Sequence, residues 1–265
     1  MSIKLLTISI IAGSVLALSA SAAFAGAAED KGLAIAQEAK IRDEGWVDTT
    51  SSMIMVLRNK NGQESVREIR SKGLEIANDG DKSLTIFDRP RDVKGTAFLS
   101  FSHTSGADDQ WLYLPALKRV KRISSRNKSG PFMGSEFSFE DLSSFEIEKY
   151  NYKFLKEEAC SIGTCFVVEQ YPTDKNSGYT KRTVWIDNAE YRTLKTVFYD
   201  RKNSLLKTLT TEEYQQYKGK FWRPSSMKMV NHQSNKSTDL SFSQYKFGNG
   251  LSDSDFNKNT LKRAR

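Results

Sequence analysis

Beyond Cys165 the chain repeats one pattern with unusual regularity. Segments Phe166 to Tyr171, Tyr179 to Asp187, Thr193 to Tyr199, Leu205 to Tyr217, Phe221 to Asn231 and Thr238 to Phe247 read as strands, separated by short polar turns such as Asp200-Arg201-Lys202-Asn203 and Lys218-Gly219-Lys220. Consecutive short turns make antiparallel neighbours, hence a meander. Several of these segments approach or exceed ten residues, a length of roughly 33 Å at the usual rise per residue. Long strands in one meander must twist and curl, so the sheet is expected to close, or nearly close, around an interior.

The first half adds strand-like segments at Ser52 to Arg58, Glu64 to Ser71, Leu74 to Asn78, Ser83 to Asp88, Thr96 to Ser102 and Gln110 to Leu114, with turn signals such as Asn61-Gly62 and Asp79-Gly80-Asp81 between them. Met53, Met55 and Leu57 alternate in the first of these. Helix formers dominate Ala27 to Asp43. A short helix is expected at Ser138 to Glu146, where Ser138 and Asp141 resemble a capping box and Phe139, Leu142 and Phe145 share a face. Another is expected to start at Ser252 and reach Leu261.

The ends and the composition set the compartment. Lys4, the apolar run Leu5 to Leu18 and the small-residue pattern Ala23-Phe24-Ala25 read as a cleavable secretory signal peptide over residues 1–25. No cysteine follows the cleavage site, so the mature chain is expected without a lipid anchor, free in the periplasm or secreted. About 240 residues then remain for a single domain, 26–265. The net charge of +8 is diffuse. In an exported protein it points away from nucleic acid and toward acidic protein surfaces or transient contact with anionic lipid headgroups. Cys160 and Cys165 flank Ser-Ile-Gly-Thr, which turns a hairpin, and in an oxidising compartment they are expected to form a disulfide. So small a loop makes the bridge worth only about 2 kcal/mol.

The stretch from Asp109 to Leu142 departs from the simple strand pattern. In Gln110-Trp111-Leu112-Tyr113-Leu114, alternation sends Trp111 and Tyr113 to one face and Leu112 and Leu114 to the other, so both faces are apolar. Either a helix covers the second face or that face lines a cavity. Lys118-Arg119-Val120-Lys121-Arg122-Ile123 puts bases on both faces of a strand, which suits a bulged edge or rim. Lys118, Arg119, Lys121 and Arg122 there either guard against edge-to-edge aggregation or dock an acidic partner or headgroups. In Gly130-Pro131-Phe132-Met133-Gly134-Ser135-Glu136-Phe137, large apolar residues lie among glycines. That composition suits a lid over an apolar cavity, or a loop pinned into the core.

Catalytic chemistry has little to stand on. The sequence carries no nucleophile elbow, His-Glu-x-x-His helix, phosphate-binding glycine loop or dinucleotide fingerprint. His103 and His232 are the two histidines, both at expected turns and away from other ligand-type residues, so no catalytic residue, metal site or cofactor is assigned.

The segments SLTIFDRPRDVKGTAFLSF, DDQWLYLPALKRVKRI, SGPFMGSEFSFEDL, TVWID, LLKTLT, FWRP and NHQSNKST resemble the outer-membrane lipoprotein-sorting proteins, whose fold is that of the periplasmic carrier and receptor LolA and LolB. The resemblance spans nearly all of the mature chain. It implies a mainly β fold, an incomplete antiparallel barrel around an apolar cavity, with an N-terminal helix and short lid helices. It also implies a carrier, not an enzyme, that binds lipoprotein acyl chains or another lipid and works with an envelope exporter of the resistance-nodulation-division (RND) type, or an adaptor docked to one. Candidate cavity and lid residues are then Met55, Phe98, Trp111, Tyr113, Phe132, Met133, Phe137 and Leu142. The arginine that locks the lid in those carriers matches none of Lys118, Arg119, Lys121 or Arg122.

Overall fold

The computed structural model describes residues 17–263. The first sixteen residues of the expected leader lie outside the described residues. Its remainder begins a single helix, α1 (Ala17–Asp43). The strands are β1 (Asp48–Arg58), β2 (Glu64–Leu74), β3 (Lys82–Arg89), β4 (Ala97–Phe101), β5 (Asp109–Leu114), β6 (Arg119–Ile123), β7 (Tyr150–Cys160), β8 (Gly163–Pro172), β9 (Tyr179–Asp187), β10 (Thr193–Asp200), β11 (Leu205–Tyr217), β12 (Phe221–Asn231) and β13 (Lys236–Phe247).

All join one 13-stranded antiparallel sheet in the order β6-β5-β4-β3-β2-β1-β13-β12-β11-β10-β9-β8-β7. Two meanders are thus sewn together where β1 pairs with β13, Met55 opposite Leu240. The sheet curls into a half-barrel without closing, because β6 and β7 remain as edges. Left-handed backbone at Glu213 (φ 54°) and Gln244 (φ 56°) interrupts β11 and β13 and helps them bend. Since β6 and β7 follow one another in sequence yet stand at opposite edges, residues 124–149 must travel from one edge to the other. That topology sets the connection across the concave face.

Alternation sorts the apolar side chains into layers. Met53, Met55, Ile69, Phe87, Phe98, Leu112, Phe198, Met229 and Leu240 form the concave core. On the outer face of β3 to β5, Leu84, Ile86, Ala97 and Leu99 pack beneath Phe256 and Leu261 of the C-terminal segment. Ile35 and Ala36 of α1 pack on Tyr152, Val168, Val184 and Ile186 of β7 to β9. Cys160 and Cys165 form the expected disulfide, Cα atoms 5.8 Å apart, at the β7–β8 turn.

Several local expectations need correction. Glu64–Leu74 is one strand where two were expected. Gly73 lies close against Thr49 and Trp46, where a Cβ would have no room, so the strand runs through it. Strand β7 was not anticipated, since Lys156-Glu157-Glu158 masks its alternation. The helix expected at Ser138 to Glu146 shrinks to a 3₁₀ turn, Phe139–Leu142. Ser143 turns extended there, and the Ser144 N–H donates to Ser102 Oγ (2.8 Å). Ser252 to Leu261 likewise gives way to 3₁₀ turns, at Asp253–Asp255 and Leu261–Arg263, because Phe256 and Leu261 are pulled onto the sheet. Strand β6 pairs with β5 without the expected bulge. As an edge strand it keeps its bases hydrated on both faces.

Candidate functional site

The concave face is occupied by the chain's own β6–β7 connection. Pro131 and Ser138 form an antiparallel bridge, and the Phe132 N–H donates to the Phe137 carbonyl (2.7 Å), making a tight loop with Met133 and Gly134 at its tip in left-handed conformation. Phe132, only 1% exposed, sits with its ring centroid 5.2 Å from Phe98, 5.7 Å from Phe139 and 5.8 Å from Phe87. The loop inserts into the interior as a plug.

Polar bonds hold the plug from several strands. Arg67 of β2 donates through Nη1 to the Met133 carbonyl (2.6 Å). The Glu136 N–H donates to Thr238 Oγ1 (3.0 Å), and the Asn231 amide donates to the Glu136 carboxylate (2.6 Å). Lys207 of β11, 3% exposed, donates to the Glu136 carbonyl (2.9 Å) and to Asp141 Oδ2 (2.6 Å). Asp141 also accepts from the Ser138 N–H (2.7 Å) and the Tyr179 hydroxyl (2.8 Å). Beside it, Glu140 accepts from the Gly178 N–H (2.8 Å) and Ser177 Oγ (2.9 Å). Only glycine allows that approach at 178, where a Cβ would meet Glu140 and Ser129 at 2.7 Å.

Electrostatics follow from burial and partners. Burial alone would raise the Asp141 carboxyl, yet the charge and hydrogen bond of Lys207 hold it below the usual carboxylate range. Glu140, buried and beside Asp141, is pushed up. Burial lowers the Arg67 guanidinium, which has no ion-pair partner among the described residues, and its buried Nε has no hydrogen-bond partner.

Where the connection leaves the interior, Lys40 of α1 pairs with buried Glu146. Nearby, burial raises Asp81 to about 6, reinforced by Glu146 and Glu75 and opposed by the Ile76 N–H and Lys40. The folded state therefore binds this proton more tightly than the unfolded chain does, and stability rises as pH falls through 6 toward the unfolded value near 4. Between pH 7 and 5.5 the gain is about 1 kcal/mol. Urea midpoints at the two pH values are expected to show it, and Asp81→Asn is expected to lose most of it. An Asp81→Asn profile identical to that of the parent would refute the assignment.

The sequence-derived candidates divide between faces. Met55, Phe98, Phe132 and Phe137 are buried together in the concave core, with Met133 and Leu142 packed against it. Trp111 and Tyr113 lie on the outer face, against the C-terminal segment, with the Lys258 ammonium 5.6 Å from the Trp111 ring. It is Leu112 that points inward. Both faces of β5 are thus covered, one by the plug and one by residues 251–261. Lys118 caps a 3₁₀ turn with φ 47°, while Arg119, Lys121 and Arg122 lie exposed on the edge strand, Arg122 paired with Asp109. Arg67, Lys207 and Tyr179 were not singled out from the sequence, whereas Asp141 forms the expected capping box with Ser138. The alternation Lys207, Leu209, Thr211 does place a base on an inward-facing row, and that signal was available.

Next to the plug a cleft of about 450 Å³ opens between residues 129–138, the Gly178–Tyr179 corner and the β10–β11 and β12–β13 turns. Among the described residues, no group of three or more His, Cys, Asp or Glu side chains is placed to hold a metal ion. No described helix is long and apolar enough to cross a membrane.

The open antiparallel half-barrel is the LolA-like fold. Solved structures place the chain within it more closely. A domain designated an outer membrane lipoprotein-sorting protein from Vibrio parahaemolyticus is 64% identical, with TM-score 0.87 over 89% of this chain and 100% of that one. A DUF1329 family protein from Desulfovibrio piger is 28% identical, with TM-score 0.83 over 88% and 99%. A LolA superfamily protein from Nitrosomonas europaea, 21% identical with TM-score 0.68 over 86% and 98%, shares the fold. A family model described as "Uncharacterized protein" matches residues 79–263. No curated protein matches the sequence. The chain belongs to the family of the Vibrio lipoprotein-sorting domain.

Proposed function

We propose that this protein is a non-catalytic periplasmic carrier. It takes the acyl chains of a lipoprotein, or another lipid, into the space now held by Phe132, Met133 and Phe137, and moves the cargo toward the outer membrane. On this reading residues 1–25 are removed as a leader and 26–265 act as one domain without a cofactor. The observation that carries the proposal is the plug. A loop tied mainly by polar bonds to strand ends fills an apolar trough lined by Met55, Phe87, Phe98 and Met229. Withdrawing Phe132 costs about 2–3 kcal/mol of burial, and an acyl chain returning about 0.8 kcal/mol per methylene offsets that within a few carbons. The designation of the Vibrio relative supports the same class of cargo. Native mass spectrometry of protein purified from its own periplasm is expected to show a lipid-sized adduct. A clean apo mass, with no uptake of a fluorescent fatty acid, would sink the proposal.

Arg67 serves in this scheme as the latch. One charge-assisted hydrogen bond to the Met133 carbonyl closes the tip of the plug. Arg67→Leu is expected to tighten fluorescent fatty-acid binding about tenfold by lowering the cost of opening. Unchanged affinity would remove Arg67 from this role.

The exposed edge favours a second, compatible task. Arg119 and Lys121 project from β6, and Leu117 beside them is 68% exposed. This rim suits docking to an acidic partner, such as an RND-type transporter, and brief contact with anionic headgroups. Reversing Lys118, Arg119, Lys121 and Arg122 together is expected to abolish partner capture while acyl uptake persists. Undiminished capture would refute the docking role.

A further inference from the structure

The cleft beside the plug carries charge that the fold itself does not use. Its carboxylates are engaged internally. Asp200 accepts from the backbone N–H groups of Lys202 and Ser204 (2.9 Å each) and from the Gln233 amide (2.9 Å), and Glu136 accepts from Asn231. Lys207 is engaged as well, by Asp141. The bases at the rim are not. Among the described residues neither Arg201 nor Lys202 enters an ion pair. The Arg201 guanidinium is steadied by the Ser177 and Asn176 carbonyls (3.0 Å each) and by Ser129 Oγ (3.5 Å), leaving Nη1 with no partner among the described residues. Arg201 and Lys202 thus line a recess together with the apolar Pro131, Phe137 and Leu206.

The cleft also adjoins the apolar interior. Phe137, Tyr179 and Lys207 line it, and Phe137 is at the same time part of the concave core, with Tyr179 packed 4.9 Å from Phe198. Phe137 belongs both to the plug and to the wall between cleft and core. When the plug withdraws, cleft and trough become one amphipathic site.

We infer that this cleft binds the anionic, phosphate-bearing headgroup of the amphiphile whose acyl chain enters the trough, with Arg201 and Lys202 as the residues that recognise it. The inference rests on the carrier reading and specifies which class of lipid is carried. A volume of about 450 Å³ accommodates a glycerophosphate group. The Nη1 group of Arg201 donates charge-assisted hydrogen bonds to phosphate oxygens, and the Lys202 ammonium adds a point charge that screens with salt.

The test uses the whole mature protein and water-soluble probes in equilibrium dialysis at 150 mM salt: dihexanoyl phosphatidic acid, dihexanoyl phosphatidylcholine and inorganic phosphate. The acid is expected to bind about tenfold more tightly than the choline ester, and inorganic phosphate far more weakly than either. The double variant R201Q/K202Q is expected to bring the two esters within about twofold, weakening the acid about tenfold and the choline ester, whose phosphate charge is offset by its own quaternary ammonium, by no more than about twofold. Retained phosphatidylcholine binding also shows that the variant folds. Equal binding of both esters by the unaltered protein, or a preference that survives in the variant, overturns the headgroup inference and leaves the carrier reading standing. Inorganic phosphate binding as tightly as the diacyl acid assigns the cleft to a free anion and overturns the inference. Failure of every acyl probe overturns the carrier reading, and the headgroup inference with it.

Discussion

Asp141→Ala is expected to destabilise the fold by about 3 to 5 kcal/mol, the range for removing one partner of a buried pair. The reason lies in what remains. Lys207, 3% exposed, would keep only the Glu136 carbonyl as an acceptor, with the Tyr179 and Phe198 rings each 5.2 Å from its ammonium. An ammonium so placed is left without a counter-charge and pulls the start of β11 toward water. The Ser138 N–H would lose its acceptor as well, and the Tyr179 hydroxyl would keep only Ser138 Oγ (3.0 Å). Replacing both partners, as Asp141→Leu with Lys207→Met, is expected to restore most of the stability, because two well-packed apolar groups avoid the desolvation that the pair must repay. Urea unfolding followed by tryptophan fluorescence gives the midpoints, and an unchanged slope confirms that the same transition is compared. A loss below about 1 kcal/mol in Asp141→Ala would mean that the pair does not anchor the plug.

The pH dependence of this pair has a definite sign. Since Asp141 titrates lower in the folded protein than in the unfolded chain, its stabilisation is present above the unfolded value near 4 and is lost as pH falls through the folded one. Asp81 works in the opposite direction at higher pH. Stability is therefore expected to rise from pH 7 toward 5 and then fall in acid, and the apolar double variant is expected to lack the Asp141 part of that fall.

The half-barrel was legible because its information is local. Alternation and short turns settle which residues form strands, and strand length with twist makes the sheet curl. The plug was legible too, since Phe132, Met133 and Phe137 among glycines contradict the polarity of an ordinary loop. What escaped was long-range. Alternation divides Trp111 and Tyr113 from Leu112 and Leu114, but which pair faces inward depends on the direction of curl and on Phe256 and Leu261, far along the chain. Arg67 and Lys207 were missed because a lone base in a strand reads as solvent-facing, and their acceptors lie 66 residues away in sequence, in the plug. Strand β7 hid behind charges because it is an edge strand with one face open to water.

Phe132→Ala separates the carrier from a protein that merely keeps a loop in its core. The ring contacts Phe87, Phe98 and Phe139, so its loss is expected to cost about 3 kcal/mol, the lower end for a buried aromatic because the loop can partly collapse inward. On stability alone the two readings agree. They part on ligand affinity. If acyl chains enter the trough by expelling this ring, the unaltered protein pays its burial at every binding event, whereas the variant has lost that cost and offers a dry space lined by Phe and Met side chains. A fluorescent fatty acid is then expected to bind Phe132→Ala tenfold or more tightly, about 1.4 kcal/mol or more, and to raise its urea midpoint as bound ligand replaces the missing contacts. A loop that is only structural predicts the same fall in stability with no gain in affinity and no rescue by ligand. Because destabilisation and tighter binding move in opposite directions in the same variant, general loosening of the fold cannot imitate the carrier's result.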